Sequence, residues 1–594
     1  MKQFAMPQEH FKGIPSANSH GDVAPIDSFQ EGSRGNGECV RADNDFLEIV
    51  KNVAAVFTLK PEHIPGRAVG EVHETSVEID PANRVCLPLT LPSRLSKDRL
   101  VVVGGVPGGD MSPIIDAAYA LGIRVTLVDF IEPPRISGEI GAAVESYIHI
   151  PAPTQGVPFL PIAERIVASI SSSGPFDGIV TFDEGMQGFT AIAARELGLR
   201  SMSPNLVQRL IDKQMTRRFC SDPVDTVRVD TPAYDPDALE RLKGHLETPG
   251  LLPKYPLILK PCPSSFDVGY RLATNSGELV RAIAAWSMTM GPGISMLIDH
   301  YEDGPEFQAN LVLQDGELLF SEIVDSFPTT GDQCLLNNKK NEYFNLPDGD
   351  FLQTKLAWSS KLPRKEQGLV SDAVYNILLA EGVRDGVFHA TVRVRNSSVH
   401  YAPVPSEDVE NDEDGDESSL IDLMPRFPPP DEEPTAIVQE IRPQPPGIEG
   451  YCGGQMTHGI DYYALYMLDA LGERERFRAL CRPFNFFSDS GPVPLWIACA
   501  YLNVPAGQIN YNGDLGALMQ KVRPELMEHI WCGTFDWRQM DRPWELRVGT
   551  FVVVSTESRR KALEIADELK EVTKIETRLF SPRPAFTGLW EGTN

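Results

Sequence analysis

The chain has 594 residues, 42% hydrophobic and 23% charged, a balance that excludes a wholly disordered or collagen-like protein. Its formal net charge of −29 excludes a general nucleic-acid binder, because phosphates would repel it. No uninterrupted apolar run reaches the ~18 residues of a membrane-spanning helix, and the polar first residues lack the apolar core of a secretory signal.

Residues 1–44, rich in Gly, Ser, Asn and Pro, read as a flexible leader. Residues 45–96 hold short apolar runs such as Phe46–Val50 and read as a small entry region. From Arg99 onward strands and helices alternate. Leu100–Val103 reads as a strand, Pro113–Leu121 as a helix closed by Gly122, and Ile123–Asp129 as the next strand. A helix over Ile162–Ser171, a strand over Phe176–Phe182 and a helix over Gly188–Leu197 stopped by Gly198 follow. This alternation predicts a parallel sheet and an α/β fold class. The glycines of the first turn, Gly104, Gly105, Gly108 and Gly109, do not match G-x-G-x-x-G. They read as a tight turn rather than a dinucleotide site. Glu184, at the end of a sheet strand, stands where open α/β sheets place ligands.

Three later segments carry chemistry in a fixed order. Leu210–Arg217, containing Asp212 and Lys213, reads as helical. Pro256–Pro261 is an apolar strand ending in Lys260, followed by the small-residue turn Cys262–Gly269. Met296–Phe307 is a strand that leaves through Asp303, Gly304 and Pro305. Two lysines from separate elements suit a polyphosphate, and the backbone N–H groups of the Ser264–Gly269 turn suit its oxygens. The strand running into Asp299, His300 and Tyr301 offers backbone groups to an adenine edge.

Between Ser406 and Glu433 twelve carboxylates face one base, Arg426, alongside Pro428, Pro429 and Pro430. The segment repels itself and reads as a solvated disordered insert over 406–433. His458, after Gly453 and Gly454, reads as a loop residue. Near the end, Leu546–Val554 reads as a strand, Ser558–Leu569 as a helix and Lys574–Leu579 as a closing strand. The nine cysteines include no C-x-x-C pair and read as reduced thiols rather than a zinc site.

As an ordered series these segments resemble the ATP-grasp superfamily, and within it the branch of L-amino acid ligases and carnosine synthase. The resemblance runs from about Leu100 to about Arg578 and includes YPLILKP, MLIDHYEDGPEF, GVFHATVRV, IVQEIRPQPPG and GIDYYALYMLDALG. It implies a Rossmann-like leading domain over 97–205 and a two-lobed ATP-grasp core. The small lobe would span 206–302, and the large lobe with a C-terminal subdomain 303–594. It further implies ATP and Mg²⁺ as cofactors. Lys213 and Lys260 would hold the phosphates beneath a loop containing Ser264, Ser265 and Gly269. Asp299, His300 and Tyr301 would line the adenine pocket, with Glu306 near the ribose. Glu440 would bind Mg²⁺, His389 would open the next-to-last strand of the core, and Gly447 would close the E-x-N-P-R-x-x-G pattern.

The chain departs from the family at several of these positions. Thr391 stands where a second Mg²⁺-binding Glu is usual, Arg442 and Gln444 replace the Asn and Arg after Glu440, and Asp267 replaces a small hydroxyl residue. Thr391 therefore offers the metal only a hydroxyl, and Glu440, phosphate oxygens and waters complete its shell. Arg442 is the candidate catalytic group for gripping a substrate carboxylate or acylphosphate, with Lys260 neutralising the phosphate chain. The resemblance implies a cytoplasmic carboxylate–amine ligase that releases ADP and phosphate. Its partners would be small-molecule carboxylates and amines, with no nucleic acid and no membrane, and a homodimer is compatible with it. A bicarbonate- or formate-activating ligase and a non-catalytic nucleotide-binding scaffold are the alternatives.

Overall fold

The computed structural model describes residues 98–104, 111–130, 143–150, 160–219, 226–230, 254–262, 270–289, 295–337, 351–405, 420–483, 487–488, 491–492, 495–504, 523, 526, 530–535, 546–555 and 557–579. The expected leader and entry region, the loop at 263–269 with Ser264, Ser265, Asp267 and Gly269, and residues 406–419 lie outside them.

The first part is the expected parallel unit. Strands β1 (Arg99–Val103), β2 (Arg124–Asp129), β3 (Val144–His149) and β4 (Gly178–Val180) form one sheet in the order β3-β2-β1-β4. Each neighbouring pair is parallel. Leu100 to Val103 are fully buried, as expected of a parallel strand covered on both faces. Helices α1 (Ser112–Leu121), α2 (Leu160–Ser171) and α3 (Gln187–Leu197) belong to this unit. Gly122 ends α1 at φ 71°, a left-handed position that costs glycine nothing. A single 3₁₀ turn, Glu184–Met186, joins β4 to α3. Strand β3 escaped the reading of the sequence.

The expected helix through Leu210–Arg217 is broken in two. Helix α4 (Pro204–Ile211) stops at Asp212, whose backbone is extended and whose Oδ1 accepts from the amides of Gln214 and Met215. Asp212 thus caps a new helix, α5 (Lys213–Arg217). The break puts Lys213 at the first helical position, where it is 3% exposed.

An antiparallel sheet follows, from β5 (Val227–Asp230), β6 (Leu257–Cys262), β7 (Arg271–Ala273) and β8 (Ser295–His300), with helix α6 (Ser276–Thr289). The strand order is β5-β8-β6-β7, and Ile258 pairs with Asp299 in its centre. Its apolar core includes Leu257, Leu259, Leu279, Ile283 and Ile298.

The remaining strands build a long antiparallel sheet. Strands β9 (Glu306–Gln314) and β10 (Glu317–Ser326) form a hairpin that turns through Asp315 and Gly316, both at positive φ. Helix α7 (Thr330–Asn337), β11 (Lys355–Trp358), α8 (Arg364–Ala380) and β12 (Gly386–Arg395) come next. Strands β13 (Val399–Pro403) and β14 (Ile421–Pro425) pair as a separate ribbon, and β15 (Thr435–Arg442) returns to the sheet. Helices α9 (Ile448–His458), α10 (Tyr462–Leu471) and α11 (Arg474–Leu480) lead to the two-residue ladder of β16 (Phe487–Ser488) and β17 (Gly491–Pro492). Strands β18 (Trp496–Val504), β19 (Ile530–Phe535) and β20 (Leu546–Ser555) complete a sheet of order β15-β12-β9-β10-β11-β18-β20-β19. Helix α12 (Arg559–Leu579) packs on β18 and β20.

Three expectations are corrected here. Lys574–Leu579 is the last turn and a half of α12, not a strand. The buried positions Ala562, Leu563, Ala566 and Leu569 set a helical period, and no Gly or Pro follows before Pro582 to end it. The acidic segment is not wholly a solvated disordered insert, because part of it is ordered. Its residues 420–433 are described, and Ile421–Pro425 is a paired strand in which Asp422 is buried. His458 is the last residue of α9 rather than a loop residue. The glycine before it serves packing, since a Cβ on Gly453 would lie 2.2 Å from the ring of Trp358. Among the described residues no helix is long and apolar enough to cross a membrane.

Candidate functional site

The candidate residues gather where α5, β12, β15 and the 3₁₀ turn after β4 meet. Glu440 on β15 is the centre. Its Oε2 lies 3.0 Å from Lys213 Nζ, and its Oε1 lies 2.7 Å from Arg442 Nη2. Thr391, paired with Glu440 across β12 and β15, donates its hydroxyl to Oε1 at 3.3 Å. Arg442 also reaches Glu184 at 3.3 Å. Strand pairing explains half of this geometry. Residues at alternate positions on a strand share a face, so Glu440 and Arg442 point the same way and Thr391 faces them.

Burial makes each charge depend on the others. Desolvation alone would raise the Glu440 carboxyl, but Arg442 and Lys213 outweigh it and hold it well below the usual carboxylate range. Lys213 is desolvated too, and Tyr270, Glu440 and Glu184 more than compensate, so its ammonium is held more firmly charged than usual. Its Nζ lies 5.3 Å from the centre of the Tyr270 ring.

Lys260 stands beside this cluster. Its Nζ is 3.0 Å from Asp299 Oδ2 and also donates to Gln439 on β15. Burial lowers the Lys260 pKa, and the Asp299 carboxylate offsets only part of the effect. Arg217, at the end of α5, pairs with Asp299 at 3.0 Å and with Glu302 at 3.3 Å. Desolvation opposes ionisation of Asp299, yet Lys260 and Arg217 keep its carboxyl below the ordinary value. Its side chain is therefore committed to these cations and to the His300 amide, which donates to Oδ1 at 2.9 Å, while the Tyr301 amide donates to the Pro256 carbonyl oxygen at 3.0 Å.

The other predicted residues are placed differently. His300 puts Nδ1 2.9 Å from the carbonyl oxygen of Lys254. The Tyr301 hydroxyl donates to Asp332 at 2.5 Å, and Arg393 ties Asp332 (2.8 Å) to Glu306 (3.1 Å). Tyr301 and Glu306 thus share a buried network around Arg393, separate from Glu440. His389 is 6% exposed, and its Nδ1 lies 2.8 Å from Asn310 Oδ1. Gln444 accepts from Gln187 Nε2 at 2.6 Å, which ties the chain beyond Arg442 to α3.

Sequence reasoning missed Arg217, Gln439 and Gln187. Arg217 carried a signal, because it lies four residues after Lys213 and so on the same helical face. Gln187 carried none, since its partner is 257 residues away.

The donor set suits a magnesium nucleotide. Among the described residues no group of three or more His, Cys, Asp or Glu could hold a metal by itself. Glu440 supplies one hard carboxylate and Thr391 a hydroxyl. That fits Mg²⁺, which binds through one or two carboxylates and takes its other ligands from phosphates and water. Lys213, Lys260 and Arg442 are the cations available to the phosphates.

Comparisons with known proteins bear on the fold. The ATP-grasp N-terminal domain family matches residues 115–200. The chain is 28% identical over 515 residues to the ATP-grasp enzyme fsqD of Aspergillus fumigatus, covering 83% of this chain and 82% of that protein. The crystal structure of an L-amino acid ligase from Bacillus licheniformis superposes with a TM-score of 0.54 at 18% identity, covering 80% of this chain and 98% of that one. The fold is that of the ATP-grasp proteins, and the chain resembles the ATP-grasp ligases.

Proposed function

We propose that the chain is an ATP- and Mg²⁺-dependent carboxylate–amine ligase that forms an amide through an acylphosphate and releases ADP and phosphate. The observation that carries this reading is the position of Glu440. It is a buried, ionised carboxylate flanked by Lys213, Arg442 and the Thr391 hydroxyl, with Lys260 close by. Phosphoryl transfer asks for little covalent chemistry from a protein and depends on positioning and charge neutralisation. Lys213 and Lys260 hold the phosphates, Glu440 and Thr391 hold the metal, and backbone groups at Asp299 to Tyr301 meet the adenine edge. Bound Mg²⁺ supplies charge stabilisation at the transferring phosphoryl group. Arg442 turns from Glu184 or Glu440 to grip the substrate carboxylate, because a guanidinium matches a carboxylate bidentately. The acylphosphate needs shelter from water, and the segment carrying Ser264, Ser265 and Gly269 is assigned to cover it.

The fold lobes are read as a leading Rossmann-like domain to about 205, a small lobe to about 302 and a large lobe beyond. The proposed substrates are an amino acid or small carboxylic acid and an amine. The reading is tested by chromatography of nucleotide products after incubation with ATP, Mg²⁺ and pooled amino and carboxylic acids. ADP formed only with a substrate pool, together with a new amide mass, is the expected result. AMP would contradict the acylphosphate route, and ATP binding without turnover in any pool would favour the non-catalytic scaffold.

A further inference from the structure

A cavity of about 220 Å³ lies among β4, α3, α4, the loop from α8 to β12, and α10. Its body is apolar, built from Ile179, Val180, Ala191, Val207, Val383 and Ala470. The volume is about seven times a water's share of the liquid, and larger than the ~150 Å³ that suffices to admit benzene. It is too small for a whole nucleotide.

Three polar features mark the cavity as more than a packing defect. Thr190 lines it, is 5% exposed, and has a hydroxyl without a hydrogen-bond partner among the described residues. A helical threonine normally bonds back to the carbonyl one turn before it, and a buried hydroxyl left without a partner is costly. Gln187, also on the wall, ties the cavity to Gln444, two residues beyond Arg442. At the mouth stand two arginines. Arg200 is engaged by Asp469 (2.9 Å) and Asp385 (3.3 Å), and Asp385 is further met by Arg474. Arg384 is exposed and has no carboxylate partner among the described residues.

We propose that this cavity is a binding site, separate from the Glu440 cluster, for a small hydroxyaryl monocarboxylate. The ring fills the apolar body, the phenol takes up the Thr190 hydroxyl, and the carboxylate meets Arg384. The proposal does not rest on the ligase reading, because binding is read without nucleotide or turnover.

The test is ligand-observed NMR titration of the full chain with three probes: 4-hydroxyphenylacetate, phenylacetate lacking the phenol, and p-cresol lacking the carboxylate. Saturable binding of 4-hydroxyphenylacetate in the millimolar range or tighter is expected for about eleven heavy atoms. Ala191→Phe, which fills the cavity, should abolish binding of all three probes. Thr190→Val, nearly isosteric and so a safeguard if the larger substitution disturbs folding, should weaken 4-hydroxyphenylacetate about three- to tenfold and leave phenylacetate unchanged. Arg384→Met should weaken the two carboxylates about fivefold and spare p-cresol. Absence of saturable binding, binding that survives Ala191→Phe in a folded variant, indifference of 4-hydroxyphenylacetate to Thr190→Val, or full displacement by ATP would each overturn the assignment.

Discussion

Two clusters of buried charge hold this molecule together at a distance in sequence, and they are built differently. The Arg559 cluster is closed. Arg559 pairs with Asp325 at 2.6 Å and with Asp422 at 2.9 Å, and their side chains are 8%, 0% and 7% exposed. Ser360 and Lys361 complete the shell of Asp325 and Asp422. The Glu440 cluster is open at its edge, with Arg442 18% and Glu184 17% exposed. Its members come from four separate elements. The contrast separates a clamp from a site. The first arrangement joins α12, β10 and β14 through three side chains that are each more than nine-tenths buried. The second keeps a cation and a carboxylate within reach of a ligand.

The comparison is broken most sharply by neutralising one carboxylate in the open cluster. Glu440→Gln should lower ATP-dependent turnover by at least about 100-fold, the scale expected for losing charge stabilisation at a transferring phosphoryl group. Its circular dichroism spectrum should remain native. Full activity in the purified variant would remove Glu440 from the site.

The closed cluster should answer in stability instead. Arg559→Met leaves Asp325 and Asp422 buried without their shared cation, which costs about 3–5 kcal/mol. Denaturant unfolding should show that loss, while ATP affinity under native conditions changes little. A variant as stable as the wild type would make the cluster dispensable.

A single carboxyl without a cation sharpens the contrast further. Asp461 caps α10, accepts from the Ala464 amide at 2.8 Å and has no ion-pair partner among the described residues. Burial pushes its carboxyl up to about 6 from 3.8. The folded state therefore binds this proton more tightly than the unfolded chain, so stability rises as pH falls through about 6. Asp461→Asn keeps the cap and removes that titration. Between pH 7 and 5 the wild type should gain about 1 kcal/mol relative to the variant, read by denaturant titration at both values. A difference that stays flat with pH would refute the shift.

Much of the fold was legible because its signals are local. Buried β-branched runs such as Leu100–Val103, and glycines closing helices at Gly122 and Gly198, depend on neighbours in the chain. Lys213, Lys260, Thr391, Glu440 and Arg442 were legible as an ordered set, and the folded chain brings Lys213, Thr391, Glu440 and Arg442 into contact. What escaped was decided by partners far away. The acidic segment reads as solvated until Arg559, 137 residues on, buries Asp422. The break at Asp212 was hidden in plain view, because a helical pattern on both sides masked a capping residue between them. The β-branched Ile575 and Thr577 suit the strand expected over Lys574–Leu579, and continuation of an already packed helix overrode that preference.

The central claim is that the open cluster receives the phosphates of a magnesium nucleotide. Calorimetric titration of ATP with Mg²⁺ into the wild type and Lys213→Met tests it most directly. Saturable binding by the wild type, weakened at least about tenfold in the variant, is the predicted result, since a buried charge-assisted contact is lost. Equal affinity in both proteins, with the variant folded, would contradict it.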